Sequence, residues 1–415
     1  MIRRIAFSLC LFLGLCNSAT SIAAPKNIGS KPLAKDAASL NDGSLSIVYL
    51  GLSAPSAELR PFFDPAIQDA GIRGAELGID DDNTTGRFTG QTFKLTTIIS
   101  EDISVLKEQF KKLLSEKRAY FVLDLPVTDL LEMARLPEAN HAILMDIANS
   151  DDRLRGRDCE ANVFLIMPSD AMRTDALAQY FAKKHWQKWF LVSGQDKRDV
   201  LVAQAARHSA KKFGAKIIKD TAWSYHFEDR RTPESEIPVF TQGDDYDLVF
   251  VADHQKQFAD LFPYRTWQPK LVTGDAGLVA GAWHKAHEAW GALQLQTRFR
   301  DKYARLMQEK DYTAWLAVRS LGEAATRGHT TTPDRVREML LDPAFSLAGF
   351  KGVPLSFRSW DHQMRQPILL GSDRSIAAFA PIEGYLHPSN TLDTLGYDSP
   401  ESECKLSASL TPTSP

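Results

Sequence analysis

The sequence predicts an α/β protein of two halves, each a parallel sheet flanked by helices. Three observations carry this. Short apolar runs rich in β-forming residues alternate with amphipathic stretches. The alternation occurs twice, once before residue 162 and once after it. A length of 415 residues also exceeds what one ordinary domain needs.

The first unit sets the pattern. Residues 46–50 read as a buried parallel strand ending in Gly51. A loop passes through Ser53, Ala54, Pro55 and Pro65. A helix follows with Ile67, Ala70, Gly71, Gly74, Ala75 and Gly78 near one face, small residues that suit close approach to a sheet. It is expected to end in a solvated Asp80-Asp81-Asp82-Asn83 and to stop at Gly86. Strands at 93–99, 119–123 and 142–147 then alternate with helices at 104–117 and 128–136, the latter with Thr128 as N-cap. The polar loop 148–162 closes the first half. In the second, Pro168-Ser169 caps a helix over 170–184. Strands at 189–193, 216–221, 248–252 and 270–273 accompany helices at 199–213 and 255–261, with a loop of charges and prolines before the third strand. Residues 304–327 and 334–341 read as helices, and 357–370 and 376–386 as antiparallel strands.

Arg3 and Arg4 precede the apolar run 5–15 and then small polar residues, the pattern of a secretory signal peptide too short to span a bilayer. Cleavage is expected after Ala23. The bulky Leu15 before Cys16 counts against a lipoprotein site. The expected organisation is a signal peptide at 1–23, a flexible leader at 24–43 and a first lobe at 44–162 completed by parts of 280–415. A second lobe at 163–280 takes part of 281–345, and a crossover and C-terminal segment occupies 346–415. No membrane span is expected after cleavage. The formal charge of -3 becomes -5 once Arg3 and Arg4 leave, and no basic stripe interleaved with aromatics appears, so no nucleic-acid partner is expected. Cleavage also removes Cys10 and Cys16. The remaining Cys159 and Cys404 are expected to form a disulfide tying the tail around 392–405 to the loop before Phe164; the alternative is two separate thiols.

Four stretches add a family likeness: GIRGAELGIDDDNTTGRFTGQTFKL, DDRLRGRDCEANVFLIMPSDAM, TAWLAVRSLGEAATR and FKGVPLSFRSWDHQMRQPI. With the order of elements, they resemble the type I, leucine/isoleucine/valine-binding-like, periplasmic substrate-binding proteins of ABC transporters. Within that group they are similar to those accompanying alcohol dehydrogenase systems dependent on pyrroloquinoline quinone (PQQ). The likeness covers essentially the whole chain after the leader. It implies the type I periplasmic binding protein fold, two Rossmann-like lobes joined by a hinge, and a periplasmic location. It further implies solute capture without catalysis and delivery to a permease. One departure counts against an amino-acid ligand: Asp146-Ile147-Ala148-Asn149 lacks the hydroxyl-rich pattern of amino-acid binders.

Open α/β sheets bind ligands outside the C-terminal ends of their strands. Those ends supply the candidate ligand-binding residues Ser53, Glu101, Asp102, Asp124, Asp146, Asn149, Asp253 and Asp275, with Gln195, Asp196 and His254 beside them. Each acid alone fits a loop or a helix cap. Together they would repel one another across a cleft, which points to a cationic ligand such as a metal ion or its complex. The PQQ likeness makes lanthanide ions a candidate. If Asp146 and Asp275 face the cleft, replacing either by Ala is expected to weaken binding with little loss of stability. No resident cofactor is expected. The competing readings are binding of an organic solute (an amino acid, an alcohol-derived acid or a cofactor), a sensory module feeding a separate receptor, and an exported hydrolase. Gly-x-Ser-x-Gly, Walker A and Cys-x-x-Cys motifs are absent from the sequence. His284 and His287 read as surface or packing residues on a helix, Trp267, Trp283 and Trp290 as core, and 360–363 as a lobe-packing element.

Overall fold

Strand β1 (Ser44–Leu52) sends Leu45, Ile47 and Tyr49 into one apolar layer and Val48 and Leu50 into another. A strand covered on both faces must be apolar throughout, so the run 46–50 is legible in the sequence. The computed structural model describes residues 43–53, 67–224 and 232–406. The signal peptide and leader expected before residue 43, with Cys10 and Cys16, lie outside the described residues, as do Ala54, Pro55 and Pro65. Strand β1 pairs with β2 (Thr92–Ser100) on one side and β3 (Tyr120–Asp124) on the other, and β4 (Ile143–Asp146) and β5 (Val163–Leu165) extend the parallel sheet. Helices α1 (Ile72–Thr89), α2 (Ile103–Ser115) and α3 (Val127–Ala134) connect these strands. The expected boundary at 162 therefore falls short, because β5 belongs to the first sheet.

Helix α4 (Asp170–Lys183) opens the second lobe, and Ser169 caps it as expected, accepting from Met172 N at 3.1 Å. Its parallel sheet runs β7 (Lys216–Ala222), β6 (Lys188–Ser193), β8 (Leu248–Ala252), β9 (Leu271–Gly274). Trp189 and Leu191 of β6 face α4 and α5 (Lys197–Lys212), whereas Phe190 and Val192 face the layer that includes Ile237 and Phe262. Those two residues lie on α6 (Pro233–Phe240) and α7 (Phe262–Arg265). Helix α6 occupies part of the stretch read as a loop, with Pro233 at its first turn, where a missing N–H costs nothing.

The expected helix 304–327 is α9 (Glu309–Gly328), which starts later than expected because Ala304, left-handed at φ 56°, ends a preceding helix, α8 (Ala292–Tyr303), that the sequence reading did not include. Helix α1 also departs from expectation. It continues past Gly86 to Thr89, and its small-residue face meets α9 rather than a sheet. A Cβ on Gly74 would lie 1.8 Å from Asp311 O, and one on Gly78 2.9 Å from Val318. Nor is Asp80-Asp81-Asp82 a solvated end. Asp80 pairs with Lys302, Asp81 with Arg298 and the Trp315 indole N–H, and buried Asp82 with Arg319. These contacts stitch α1 to α8 and α9.

The remaining elements are α10 (Pro333–Leu341) and short antiparallel strands, β10 (Val279–Gly281), β11 (Leu347–Ala348), β12 (Pro354–Phe357), β13 (Met364–Arg365), β14 (Ile368–Gly371) and β15 (Ile376–Ala380). The chain passes between the two lobes' cores three times. Ile166, Ala282 and Met364 lie in the first lobe's core, and Met172, Ala280 and Ile368 in the second's. The crossings thus fall near 167–171, 281 and 365–367.

Buried polar side chains join these crossings. Gln366 Nε2 donates to Ile166 O at 2.7 Å, and Gln363 Nε2 donates to Leu165 O and Met167 O. Arg155, only 2% exposed, donates to Gln363 Oε1 at 2.7 Å and to Met167 O at 2.6 Å. Arg173 reaches Ala280 O at 2.6 Å and Glu309 at 2.9 Å, and Glu309 also accepts from Ala282 N. Buried Lys351 donates to Gln366 Oε1 and Pro367 O. Every peptide group exposed by leaving regular structure at a crossing needs such a partner once buried. The stretch 360–363 serves here, as the sequence suggests.

Candidate functional site

The C-terminal edges of the two parallel sheets are brought together where the loop after β4 meets the first turn of α5. Arg198 Nη2 donates across the lobes to Ser150 Oγ at 2.5 Å and within its own lobe pairs with Asp170. Asp170 N in turn donates to Ser150 O at 2.8 Å. Around this contact sit the ends of β8 and β9. Asp253 N donates to Asp275 Oδ2 at 2.8 Å, and Asp170 and Arg198 both act electrostatically on Asp275. Burial first, then the carboxylates of Asp170 and Asp253, push the Asp275 pKa up to about 6. On the first lobe's side, burial and the Asp170 charge push Asp152 up to about 7, while its Oδ1 accepts from Ala171 N.

The eight candidate residues divide into three groups. Asp253 and Asp275 are in direct contact at the second lobe's edge. Asp124, Asp146 and Asn149 lie at the first lobe's edge, where Asn149 Nδ2 bonds both Asp146 Oδ1 and Leu125 O at 2.9 Å. Ser53, Glu101 and Asp102 stand at the ends of β1 and β2. Ser53 N donates to Ser100 O, Glu101 is exposed, and Asp102 caps α2. Its hydrogen bonds from Ser104 hold that carboxyl below its usual range.

Most of these acids already have partners. Asp124 accepts from Lys310 Nζ at 2.9 Å and from the Tyr49 hydroxyl at 3.1 Å. Asp253 Oδ2 accepts from Phe258 N and Ala259 N, both at 2.7 Å, and so organises the turn after β8. Asp146 is fully buried. Its Oδ1 accepts from Ala148 N, Asn149 N and Asn149 Nδ2, and burial, opposed by Arg155, pushes its pKa up to about 6. These hydrogen bonds hold the loop 146–149 and argue against the expectation that removing Asp146 spares stability. Among the described residues no three His, Cys, Asp or Glu side chains assemble into a group that could hold a metal ion.

Three charged pairs that sequence reading missed run from the hinge to the edges: Asp124–Lys310, Glu309–Arg173 and Asp170–Arg198. Their partners lie 186, 136 and 28 residues apart, so no local spacing signals them. The one available clue was Asp170 beside the cap Ser169. Asp146 Oδ2, Asp170 Oδ2 and Arg198 Nη1 are buried without a hydrogen-bond partner, leaving two acceptors and one donor for a further polar group.

The other singled-out residues are structural. His287 is buried against Trp283, Trp290 and Phe379, with Nε2 2.8 Å from Phe350 O, and neither it nor His284 is on a helix. Trp283 is core, but Trp267 and Trp290 are 58% and 52% exposed, against expectation. Two surface hollows, of about 800 and 490 Å³, lie on the first lobe beside Gly86 and beside Phe350, away from every candidate residue.

Residues 65–226 match the family model described as periplasmic binding protein. No curated protein compared with the chain matches it. Solved structures do. A leucine-, isoleucine-, valine-, threonine- and alanine-binding protein from Brucella ovis, in a closed conformation, has a TM-score of 0.69 at 13% identity, covering 88% of this chain and 99% of its own. A branched-chain amino-acid ABC transporter periplasmic ligand-binding protein from Burkholderia xenovorans also reaches 0.69 at 13% identity, over 87% and 99%. An ABC transporter solute-binding protein from R. palustris, in complex with benzoate, reaches 0.64 at 14% identity, over 88% and 100%. The chain has the α/β fold of the type I periplasmic binding proteins, with parallel sheets flanked by helices.

Proposed function

We propose that this protein is the periplasmic solute-binding component of an ABC importer, capturing a small organic solute between its lobes and presenting it to a permease. The observation that carries this reading is the cross-lobe contact of Arg198 with Ser150, flanked by the unpartnered Asp170 Oδ2 and Arg198 Nη1. Two facing strand edges supply both an acceptor and a donor where such a ligand would lie. The neighbours in fold that bind amino acids or benzoate favour an organic cargo over a bare ion. So does the pairing of Asp124 and Asp253, which leaves no concentrated donor set of the kind a lanthanide or calcium ion requires. The link to quinone-dependent alcohol oxidation rests on the four sequence stretches quoted above. Ligand capture, with no resident cofactor, fits the absence of a nucleophile–base motif in the sequence.

A thermal-melt screen tests this. A ligand bound by the folded state alone, at a hundred times its Kd, stabilises by about 2.7 kcal/mol. Branched-chain amino acids, benzoate, short alcohol-derived acids, PQQ, La³⁺ and Ca²⁺ would be screened separately. A selective rise with an organic solute is expected, and it should vanish in Arg198→Ala. A rise with La³⁺ alone would replace this reading by the cation reading.

A further inference from the structure

The C-terminal tail makes a fourth connection between the lobes, beyond the three crossings. Its first part belongs to the second lobe. Leu395 lies in that lobe's core, Gly396 N donates to Asp175 Oδ2 at 2.9 Å, and Lys212 Nζ donates to Gly396 O at 2.8 Å. Asp175 and Lys212 sit on α4 and α5. Its last part belongs to the first lobe. Cys404 is bonded to Cys159, and Ser402 Oγ donates to Arg155 O at 3.0 Å. The loop carrying Cys159 is fixed to the first lobe by Leu154 in its core and by the Arg135–Glu160 ion pair.

Around the second-lobe anchor the tail is also bonded by side chains of the β12–β13 segment, which leads into the third crossing. Arg358, which follows β12 and is 1% exposed, donates to Asp393 Oδ1, Leu395 O and Tyr397 O, and Arg365 donates to the same Asp393 oxygen. Residues 397–403 could span about 25 Å if fully extended. The Arg358–Tyr397 and Ser402–Arg155 bonds leave only 398–401 free of both anchors, and these residues are folded into a turn in which Glu401 N and Ser402 N both donate to Asp398 O at 2.9 Å, so any lengthening is limited to what unwinding that turn releases.

We propose that the disulfide-bonded tail is a strap that limits how far the two lobes can swing apart about the hinge. The crossings set the hinge axis, and the strap restricts rotation because its two ends are fixed on bodies that must separate during opening. Once Cys159–Cys404 is broken, the segment after Tyr397 keeps the Ser402–Arg155 hydrogen bond to the first lobe, a contact of modest net strength.

The test measures an inter-lobe distance distribution between spin labels at Lys111 on α2 and Lys211 on α5, both exposed. Labels carried on an unnatural amino acid leave the two thiols untouched. The full chain is compared with its Cys159→Ser/Cys404→Ser double variant and with wild type reduced under native conditions. Each form is checked by circular dichroism. A broader distribution with a longer mean distance in both untied forms is expected. Distributions that superimpose on the oxidised wild type, in either untied form that remains folded, would overturn the proposal.

Discussion

The hinge and the cleft edge use the same polar residue types to opposite ends. At the hinge, Arg155, Gln363, Gln366 and Lys351 are buried and each bonds groups on a crossing or its neighbour. At the cleft edge, Asp124, Asp146 and Asp253 bond within their own lobe, while Arg198 reaches across to Ser150. Buried atoms without partners occur in both regions: in Asp146, Asp170 and Arg198 at the edge, and as Arg173 Nε and Asp361 Oδ2 at the hinge. The hinge groups nonetheless bond mainly across the crossings, whereas the edge leaves an acceptor on Asp170 and a donor on Arg198 where the lobes face each other. Removing hinge groups should therefore cost stability, as should removing an edge carboxylate that organises a loop, as at Asp146, while the remaining edge groups should alter pH response or lobe separation.

The largest effect is expected from Arg155→Ala. It strands Gln363 Oε1, removes one of two donors to Met167 O and removes the cation opposing the buried Asp146 charge. A loss of about 3–5 kcal/mol is expected in chemical denaturation. A loss below ~1 kcal/mol would break the contrast between the regions. Asp146→Ala comes next, at about 2 kcal/mol, because three hydrogen bonds organising 146–149 disappear. An unchanged melting point would return Asp146 to the ligand-facing set.

Asp275→Asn should act through pH. The folded carboxyl is raised to about 6, above the ~3.9 of an unfolded Asp, so its protonated form favours folding. That contribution is fully present below about pH 4 and is lost as pH rises through about 6. The wild type should therefore lose on the order of 1–2 kcal/mol between these limits relative to Asp275→Asn, whose amide mimics the protonated acid. Parallel stability–pH curves for the two proteins would sink this. Arg198→Ala loses one cross-lobe hydrogen bond and also leaves the buried Asp170 carboxyl without its cation, so a loss of about 1–2 kcal/mol is expected. The same inter-lobe labels should report a longer mean distance. A large unfolding penalty instead would make Arg198 a structural group.

How much was legible differs by scale. The apolar strands 46–50, 189–193 and 248–252 and the cap at Ser169 follow from local pattern, and the structure reproduces them. The alternating β and α series, and hence the fold class, follow as well. The Cys159–Cys404 bond was reachable because the expected signal-peptide cleavage would leave only two cysteines to pair. Long-range assignments failed where local rules spoke plainly. Three consecutive acids look like a solvated helix end, yet Asp82 is 1% exposed beneath Arg319, 237 residues away. Small residues on α1 signal close approach, but only the fold identifies α9 as the partner.

The sequence by itself determined the secondary-structure alternation and the two-sheet architecture, because both depend on hydrophobic periodicity within a few residues. The tertiary structure decided which polar group meets which. Arg155 finds Gln363 across 208 residues and Lys310 finds Asp124 across 186. Charge and hydrogen-bonding capacity are written at each position, but their energies depend on burial and on partners that only folding brings within reach.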